Sequence, residues 1–429
     1  MTWVQLASLG IFIATFVAIF MERVHRTIVA IAASAVMLLF GMLNNFYSQE
    51  EAFRAIDFNT ILLLLWMMLT VVILEKTGYL EYLAIHMAKK SGGRQWSLLV
   101  FLGTTTTFLS TVLDNVTTVV VIGPVTIAIC RTLSINPIPY LIAEAVLSNT
   151  GGVATLIGDP PNVIIGSAAG LTFNDFLLHL TPITLVAWLI TLYLIKFFYH
   201  TELAQSSSRV NDLMEMDPRE VLSDWPQARK VLIVLGAVMV LFLFHGMLHL
   251  QASTVAFIGF ATAFAWARPD PDEILRRIDW SVLLFFSALF VLVGGVERSG
   301  ALEAVGASLV DLARSNLLLA ALLMLWAAAM LSAIVDNIPF TIAMVPIIKH
   351  LEAQGIAVEP LWWALAMGAG FGGNGTPIGS TANVVIVSLS EKTPHPIAFR
   401  TWVRKGLPIA FSCCLVGSVL MGLFFSWYS

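Results

Sequence analysis

Charge is the scarcest property of this sequence. Only 12% of its 429 residues are Asp, Glu, Lys or Arg, where a soluble globular domain carries about a quarter. The 23 basic and 27 acidic residues leave a net charge of −4, so the basic footprint that tracks a phosphate backbone is missing and no nucleic-acid partner is expected. Cysteine is nearly absent as well: Cys130, Cys413 and Cys414 cannot build a disulfide framework or, at these spacings, a zinc ribbon. There is no long hydrophilic block to form a catalytic domain, so an enzyme is not expected. What is abundant is apolar, 58% of residues at a mean hydropathy of +0.86. No soluble core of this size hides so much apolar surface, and a barrel would alternate polar and apolar residues along each strand. The class is therefore an all-α polytopic membrane protein.

Apolar runs long enough for a crossing helix, roughly 20 residues, occupy about 3–20, 27–43, 58–74, 176–198, 229–248, 251–266, 280–296 and 403–428. The stretches 97–172 and 316–390 are long enough for several crossings but are interrupted by Asp, Asn, Gly and Pro. Irregular backbone survives at membrane depth only when it lines a cavity or is buried in protein. Assigning each stretch one re-entrant hairpin (97–133 and 315–351) and one broken helix (137–170 and 359–390) gives ten crossings. No Lys or Arg precedes the first run, whereas Arg23 and Arg26 follow it, so it reads as an uncleaved anchor with its N-terminus outside. Nineteen of the 23 basic residues then face inward, and only Arg54, Arg298, Arg314 and Lys349 face outward. This is the asymmetry the positive-inside rule demands. Twelve full crossings, the alternative, would force the broken segments to span lipid. The expected location is the inner (plasma) membrane, multi-pass, with both termini extracytoplasmic and a cytoplasmic linker at 201–228 between a first half, 1–200, and a second, 229–429.

The halves are related by an internal repeat. IDFNTILLLLWMMLTVVILEKTGYLE at 56–81 realigns with IDWSVLLFFSALFVLVGGVERSGALE at 278–303, an offset of 222. At the same offset LSTVLDNVTTVVVIGP (109–124) matches LSAIVDNIPFTIAMVP (331–346), and at 221 GGVATLIGDPPNVIIGS (151–167) matches GGNGTPIGSTANVVIVS (372–388). An odd number of crossings per half inserts the second half upside down. The expected fold is therefore two inverted repeats of five transmembrane helices, each with a re-entrant hairpin and a broken helix. Such repeats, with Gly- and Pro-broken segments at corresponding positions, mark secondary transporters whose substrate binds at the midplane.

Asp114-Asn115 and Asp336-Asn337 each interrupt a long apolar stretch, the pattern of two half-helices meeting at a polar tip. A carboxylate at that depth is costly unless paired, hydrated or ion-bound, and is a functional candidate by default. Capping of the following half-helix is the plainer role, and the two are compatible. The run Asn149, Gly151, Gly152, Thr155, Gly158, Asp159, Asn162 cannot stay helical, given its glycines and the Pro160-Pro161 doublet, and neither can the mirrored run through Gly373, Asn374, Thr376 and Asn383. Unwound carbonyls there would coordinate a cation, while the next half-helix aims its N–H groups inward. Neither run is directly followed by Lys-Ser or Lys-Thr, so neither is a phosphate loop, which argues against an ATP-driven pump. Asp114, Asn115 and Thr117 at one tip, Asp336 and Asn337 at the other, and these two runs form the candidate substrate or ion site. Glu144 and Asp159 correspond to Ala366 and Ser380 in the second half, so they join Asp114 and Asp336 as candidates for proton coupling. His245 and His249 have ligand spacing but no third ligand nearby, and Cys413-Cys414 read as small packing residues. No resident metal or cofactor is expected.

The motifs LDNVTT, GDPPN, IVDNIPF and WWALAMGAGFGGNGTPIGSTANVV resemble the ion transporter superfamily, and within it the branch holding the arsenite efflux permeases (ArsB), the melanosomal P protein and NhaD-type sodium/proton antiporters. The resemblance covers nearly the whole chain. It implies a scaffold part and a transport part in each half, elevator-like motion, a homodimer and, for the arsenite branch alone, a cytoplasmic ATPase partner. Dicarboxylate carriers of the superfamily bear Ser-Asn-Thr at the tips, whereas this chain has Asp114-Asn115-Val116 and Asp336-Asn337-Ile338. Two to four carboxylates with no deep Lys or Arg would repel a dicarboxylate or sulfate. A cation or a neutral hydroxylated solute remains. Resemblance and length point to proton-coupled efflux of arsenite or antimonite, with sodium/proton antiport as the alternative and a passive channel as the other class. The partners expected are thus a small inorganic substrate, protons and the lipid bilayer.

The topology is testable by impermeant thiol labelling of single cysteines at Ser91 and Ser429 in a cysteine-free background. Each position should label from a different side of the membrane; labelling of both from one side would overturn it.

Overall fold

Several helix starts in this chain are written as acidic or hydroxyl residues ahead of apolar runs, among them Thr2, Ser48, Asp57, Asp114, Thr172 and Asp279. In the computed structural model, which describes residues 1–21, 23–204 and 209–428 apart from the side chains of 305, 307 and 308, every described element is helical. The first half comprises α1 (Trp3–Phe20), α2 (Arg26–Leu43), α3 (Gln49–Ala55), α4 (Phe58–Glu75), α5 (Tyr79–Lys90), α6 (Gln95–Val112), α7 (Asn115–Thr132), α8 (Ile138–Gly152), α9 (Pro160–Ala169) and α10 (Phe173–Phe198). The second comprises α11 (Trp225–Phe244), α12 (Ala252–Ala267), α13 (Pro271–Arg276), α14 (Trp280–Arg298), α15 (Ala301–Ser315), α16 (Leu317–Ile334), α17 (Asn337–Ala353), α18 (Glu359–Gly372), α19 (Thr381–Glu391) and α20 (Phe399–Leu423). Each helix of the first half thus has a counterpart ten places later. The repeated Ile-Asp pair is the start signal of one such couple. Asp57 caps α4 by accepting the Asn59 and Thr60 N–H groups, and Asp279 caps α14 by accepting that of Val282.

Nine of the described helices are long and apolar enough to cross a membrane. Their outward faces carry large apolar side chains such as Leu39, Leu189, Ile233 and Phe411, which lipid rather than water must cover. The sense of each helix follows from contacts at its ends. Arg277, just before α14, lies 3.8 Å from Glu75 at the end of α4, so α4 and α14 run in opposite directions. Tyr140 Oη, near the start of α8, donates to Gln95 O at the start of α6, so α6 and α7 form a hairpin open on the Glu75 side. The second hairpin, α16–α17, opens on the opposite side, where Arg314 Nη2 donates to Gln354 O. Gln5 bonds Gly300 O and Tyr428 Oη bonds His179 O, so the described ends of the chain lie at one end of the bundle.

The halves interlock instead of standing side by side. Helix α2 packs along α14, with Thr27 Oγ1 on Ser281 O, and α12 packs along α4, with Asn59 Oδ1 accepting the Ser253 N–H. Two ion pairs repeat this exchange at the 222 offset: Lys76 after α4 pairs with Glu273 of α13, and Arg298 at the end of α14 pairs with Glu51 of α3 at 3.5 Å. One lies on each face of the bundle. The N–H and hydroxyl of Ser48, together with Arg298, hold the Glu51 carboxyl below the usual carboxylate range, so it stays ionised for the pair.

The linker and the two histidines at the end of α11 take particular places. The linker is not a free strap: Lys89 Nζ donates to Met214 O and Met216 O, and the Ser223 N–H donates to Thr77 O. It also ends earlier, at Asp224, because Asp224 and Pro226 start α11. Its residues 205–208, like Ser429, lie outside the described residues. His245 and His249 do not pair. His245 is buried with Nε2 accepting the Phe173 N–H and Nδ1 facing Leu250 O, while His249 turns the chain at φ 54°.

Reversing one clasp tests the interlock. Lys76→Glu and Glu273→Lys should each lower stability by about 0.5–1 kcal/mol, and the double exchange should restore most of it. Thermal unfolding in detergent at low salt reads this; no recovery in the double variant would show that the pair contributes nothing.

Candidate functional site

Broken backbone at membrane depth must find its partners within the protein. Each half does so with the same three braces. Ser110 Oγ donates to Ser148 O at 2.8 Å, and Ser332 Oγ to Ala369 O at 2.6 Å, tying each hairpin to the broken helix beside it. Thr155 Oγ1 reaches Thr111 O at 2.7 Å, and Thr376 Oγ1 reaches Ala333 O at 2.5 Å. Asn162 Nδ2 donates to Gly152 O, Val153 O and Thr155 O, and Asn383 Nδ2 to Gly373 O and Thr376 O. The carbonyls expected to hold a cation are therefore taken by amides. Gly158 and Gly379 permit the approach: a Cβ would fall 2.6 Å from Ser110 O in one and 2.9 Å from Ser332 O in the other. Gly151 and Gly152 likewise leave no room for a side chain, and a Cβ at Gly373 would press on Gly379 O at 3.0 Å.

Between the braces lies a buried polar hub about 18 Å along α8 and about 15 Å from the far end of α9, near mid-membrane. Asp159 is its only carboxylate and is 2% exposed. Asn115 Nδ2 from the first tip donates to Asp159 Oδ1 at 3.3 Å, and Asn337 Nδ2 from the second reaches both carboxylate oxygens at 3.2–3.3 Å. Asn149 completes the hub. Its amide donates to Asn374 Oδ1 and Asn383 Oδ1, and its oxygen accepts from Asn115 and Ser380. Asn374 in turn donates to Thr150 Oγ1. Four half-helices, α7, α9, α17 and α19, point their N-termini at this cluster, each adding roughly half a positive charge.

The two tips differ. Asp114 caps its own helix, accepting the Thr117 N–H at 2.8 Å and its hydroxyl at 2.5 Å. The residue matching Thr117 is Pro339, which has neither group, so Asp336 caps nothing. Asp336 instead pairs with Arg26 from the start of α2 and accepts the Thr381 hydroxyl at 2.9 Å. This corrects one expectation: an arginine, Arg26, reaches the second tip. Arg26 was read only as an inner-face charge. Thr381 and Ser380 were missed too, although the aligned exchange of Thr117/Pro160 for Pro339/Thr381 carried the signal. Glu144 lies apart from the hub, fully buried between α7 and α8 with Thr126 donating to it. Cys413 faces Thr191, and none of the cysteines reaches the hub.

Two cavities lead inward from the Glu75 side. One, of about 370 Å³, is lined by His25, Arg26, Asp336 and Thr381; the other, of about 270 Å³, by Glu75, Asp114, Arg277 and also Arg26 and Thr381. A third, at the Asp57 and Glu297 end, stops at Ile164 and Ile342. Hub, hairpins and inward cavities together are the anatomy of a multi-pass membrane transporter. The comparisons agree: the profile of the citrate transporter family (CitMHS) matches residues 16–368, and the chain belongs to that family, within the ion transporter superfamily. The chain is 38% identical to a 46 kDa membrane protein of Mycobacterium leprae (strain TN), over 96% of this chain and 97% of that one. It is 31% identical to the P protein of Homo sapiens over 97% of this chain and 59% of that longer protein, in keeping with the motif resemblance. The crystal structure of the Alcanivorax borkumensis YdaH transporter shares the fold with a TM-score of 0.64 at 14% identity, over 100% of this chain and 99% of that one.

The asparagine braces give a direct test. Asn162→Ala or Asn383→Ala strands buried carbonyls and should cost about 1–3 kcal/mol each. A fall in melting temperature with unchanged expression is expected; an unshifted temperature would mean that the loops hold without them.

Proposed function

We propose that the protein is a secondary active transporter that exports arsenite or antimonite in exchange for protons across the inner membrane, with both termini extracytoplasmic. The observation that carries the proton coupling is Asp159, a buried carboxylate served only by neutral amides at the long end of hydrogen-bond range. A proton or the substrate supplies what those amides do not. The internal repeat supports two inverted halves, with hairpins and broken helices moving as the transport part against α4 and α14.

Charge balance guides the substrate. Asp114, Asp159 and Asp336 are offset by Arg26 and four half-helix N-termini, so the site is close to neutral when all three acids are ionised. Arsenite is the uncharged As(OH)3 near neutral pH, and its hydroxyls match the amides of Asn115, Asn149 and Asn337 and the Asp159 carboxylate without any thiol. The family's description names citrate. A free tricarboxylate would bring three negative charges into a buried site that is already close to neutral. Sodium is the second reading, favoured by the oxygens of Asp159, Asn149 and Ser380; the capture of the loop carbonyls by Asn162 and Asn383 counts against it.

Proteoliposomes with an imposed pH difference separate these readings. Arsenite should accumulate against its gradient, and Asp159→Asn should abolish coupled transport by at least tenfold while leaving the melting temperature near that of the parent. Uptake of sodium or citrate alone would overturn the arsenite reading, and flux without accumulation would indicate a channel.

A further inference from the structure

Arg26 has no counterpart. Helix α12, which matches α2, begins with Ala252, and among the described residues Asp336 has a direct ion pair with a scaffold arginine, whereas Asp114 only shares a cavity with Arg26 and Arg277. The guanidinium pairs with Asp336, lies 2.8 Å from Thr381 Oγ1, and stacks 5.3 Å over the Phe285 ring of α14. Asp336 is 7% exposed and lines the 370 Å³ cavity, and its Oδ1 is buried with no hydrogen-bond partner among the described residues. The second tip therefore offers two carboxylate oxygens and a threonine hydroxyl beside a cavity, an oxygen set suited to a small hard cation. A covalently attached cation already fills the place.

We propose that Arg26 is a specificity-determining residue: its guanidinium is a tethered cation that keeps sodium off the Asp336–Thr381 tip. Two cations cannot share the tip, because the N-termini of α17 and α19 already make it positive and one carboxylate balances a single charge. Removing the guanidinium frees both Asp336 oxygens and the Thr381 hydroxyl beside the cavity, and sodium is the abundant small hard cation that such oxygens hold. The inference rests on the transporter reading only in placing this tip on the transport path. Its test reads binding, so it can fail while arsenite export stands, and the reverse.

Binding of radioactive sodium to purified full-length protein is compared at constant ionic strength, with choline as the replacement cation. The parent and Arg26→Lys should show no saturable binding that depends on Asp336. Arg26→Gln should gain about one saturable sodium per chain and a sodium-dependent rise in melting temperature, and Arg26→Gln combined with Asp336→Asn should lose both. A folded Arg26→Gln variant that binds no more sodium than the parent would overturn the proposal. So would parental sodium binding that Asp336→Asn removes. If Arg26→Gln does not purify as a monodisperse species in choline, recovery in sodium supports the proposal and failure in both salts overturns it.

Discussion

Backbone that leaves the helix inside a membrane has no water to turn to, and this requirement governs the centre of the molecule. The chain breaks there four times, at Asp114, Asp336 and the two glycine-rich runs, and each break is closed by a hydroxyl or an amide from a neighbouring segment. Because the braces reach from hairpin to broken helix, the segments are joined in pairs.

The braces and the hub obey different sequence logic. Brace residues occupy positions where the repeats agree: Ser110 with Ser332, Thr155 with Thr376, Asn162 with Asn383. Apart from the tip asparagines, hub residues occupy positions where they differ: Asn149 against Gly370, Asp159 against Ser380, Val153 against Asn374. Identity across the halves gives each the same braces, and the departures give the molecule one chemically unique centre. Gly370 shows how the two fit, since its missing side chain leaves room for Val153, whose Cγ2 a Cβ would meet at 2.2 Å.

Hairpins, broken helices and most hub residues were legible because membrane burial makes each polar residue or proline in an apolar run conspicuous. Arg26 was not. It sits at a helix start where a basic residue is ordinary, and only the packing of α2 along α14 carries it to the second tip. Glu144 shows the opposite case: it is as buried as Asp159 and as conspicuous, but its place on α8 turns it toward α7 and Thr126, away from the hub. Depth is written in the sequence, whereas the direction a side chain takes from a helix depends on which neighbours surround it.

The exchange of partners between halves has a consequence during synthesis. Helix α4 emerges from the ribosome long before α12, the helix that covers it, and α14 waits for nothing because α2 is already in place. The first half must therefore persist in the bilayer with one flank of α4 against lipid until the linker and α11 have followed. The apolar side chains on that flank serve two solvents in turn, lipid first and protein afterwards, so they are selected for compatibility with both rather than for tight packing alone.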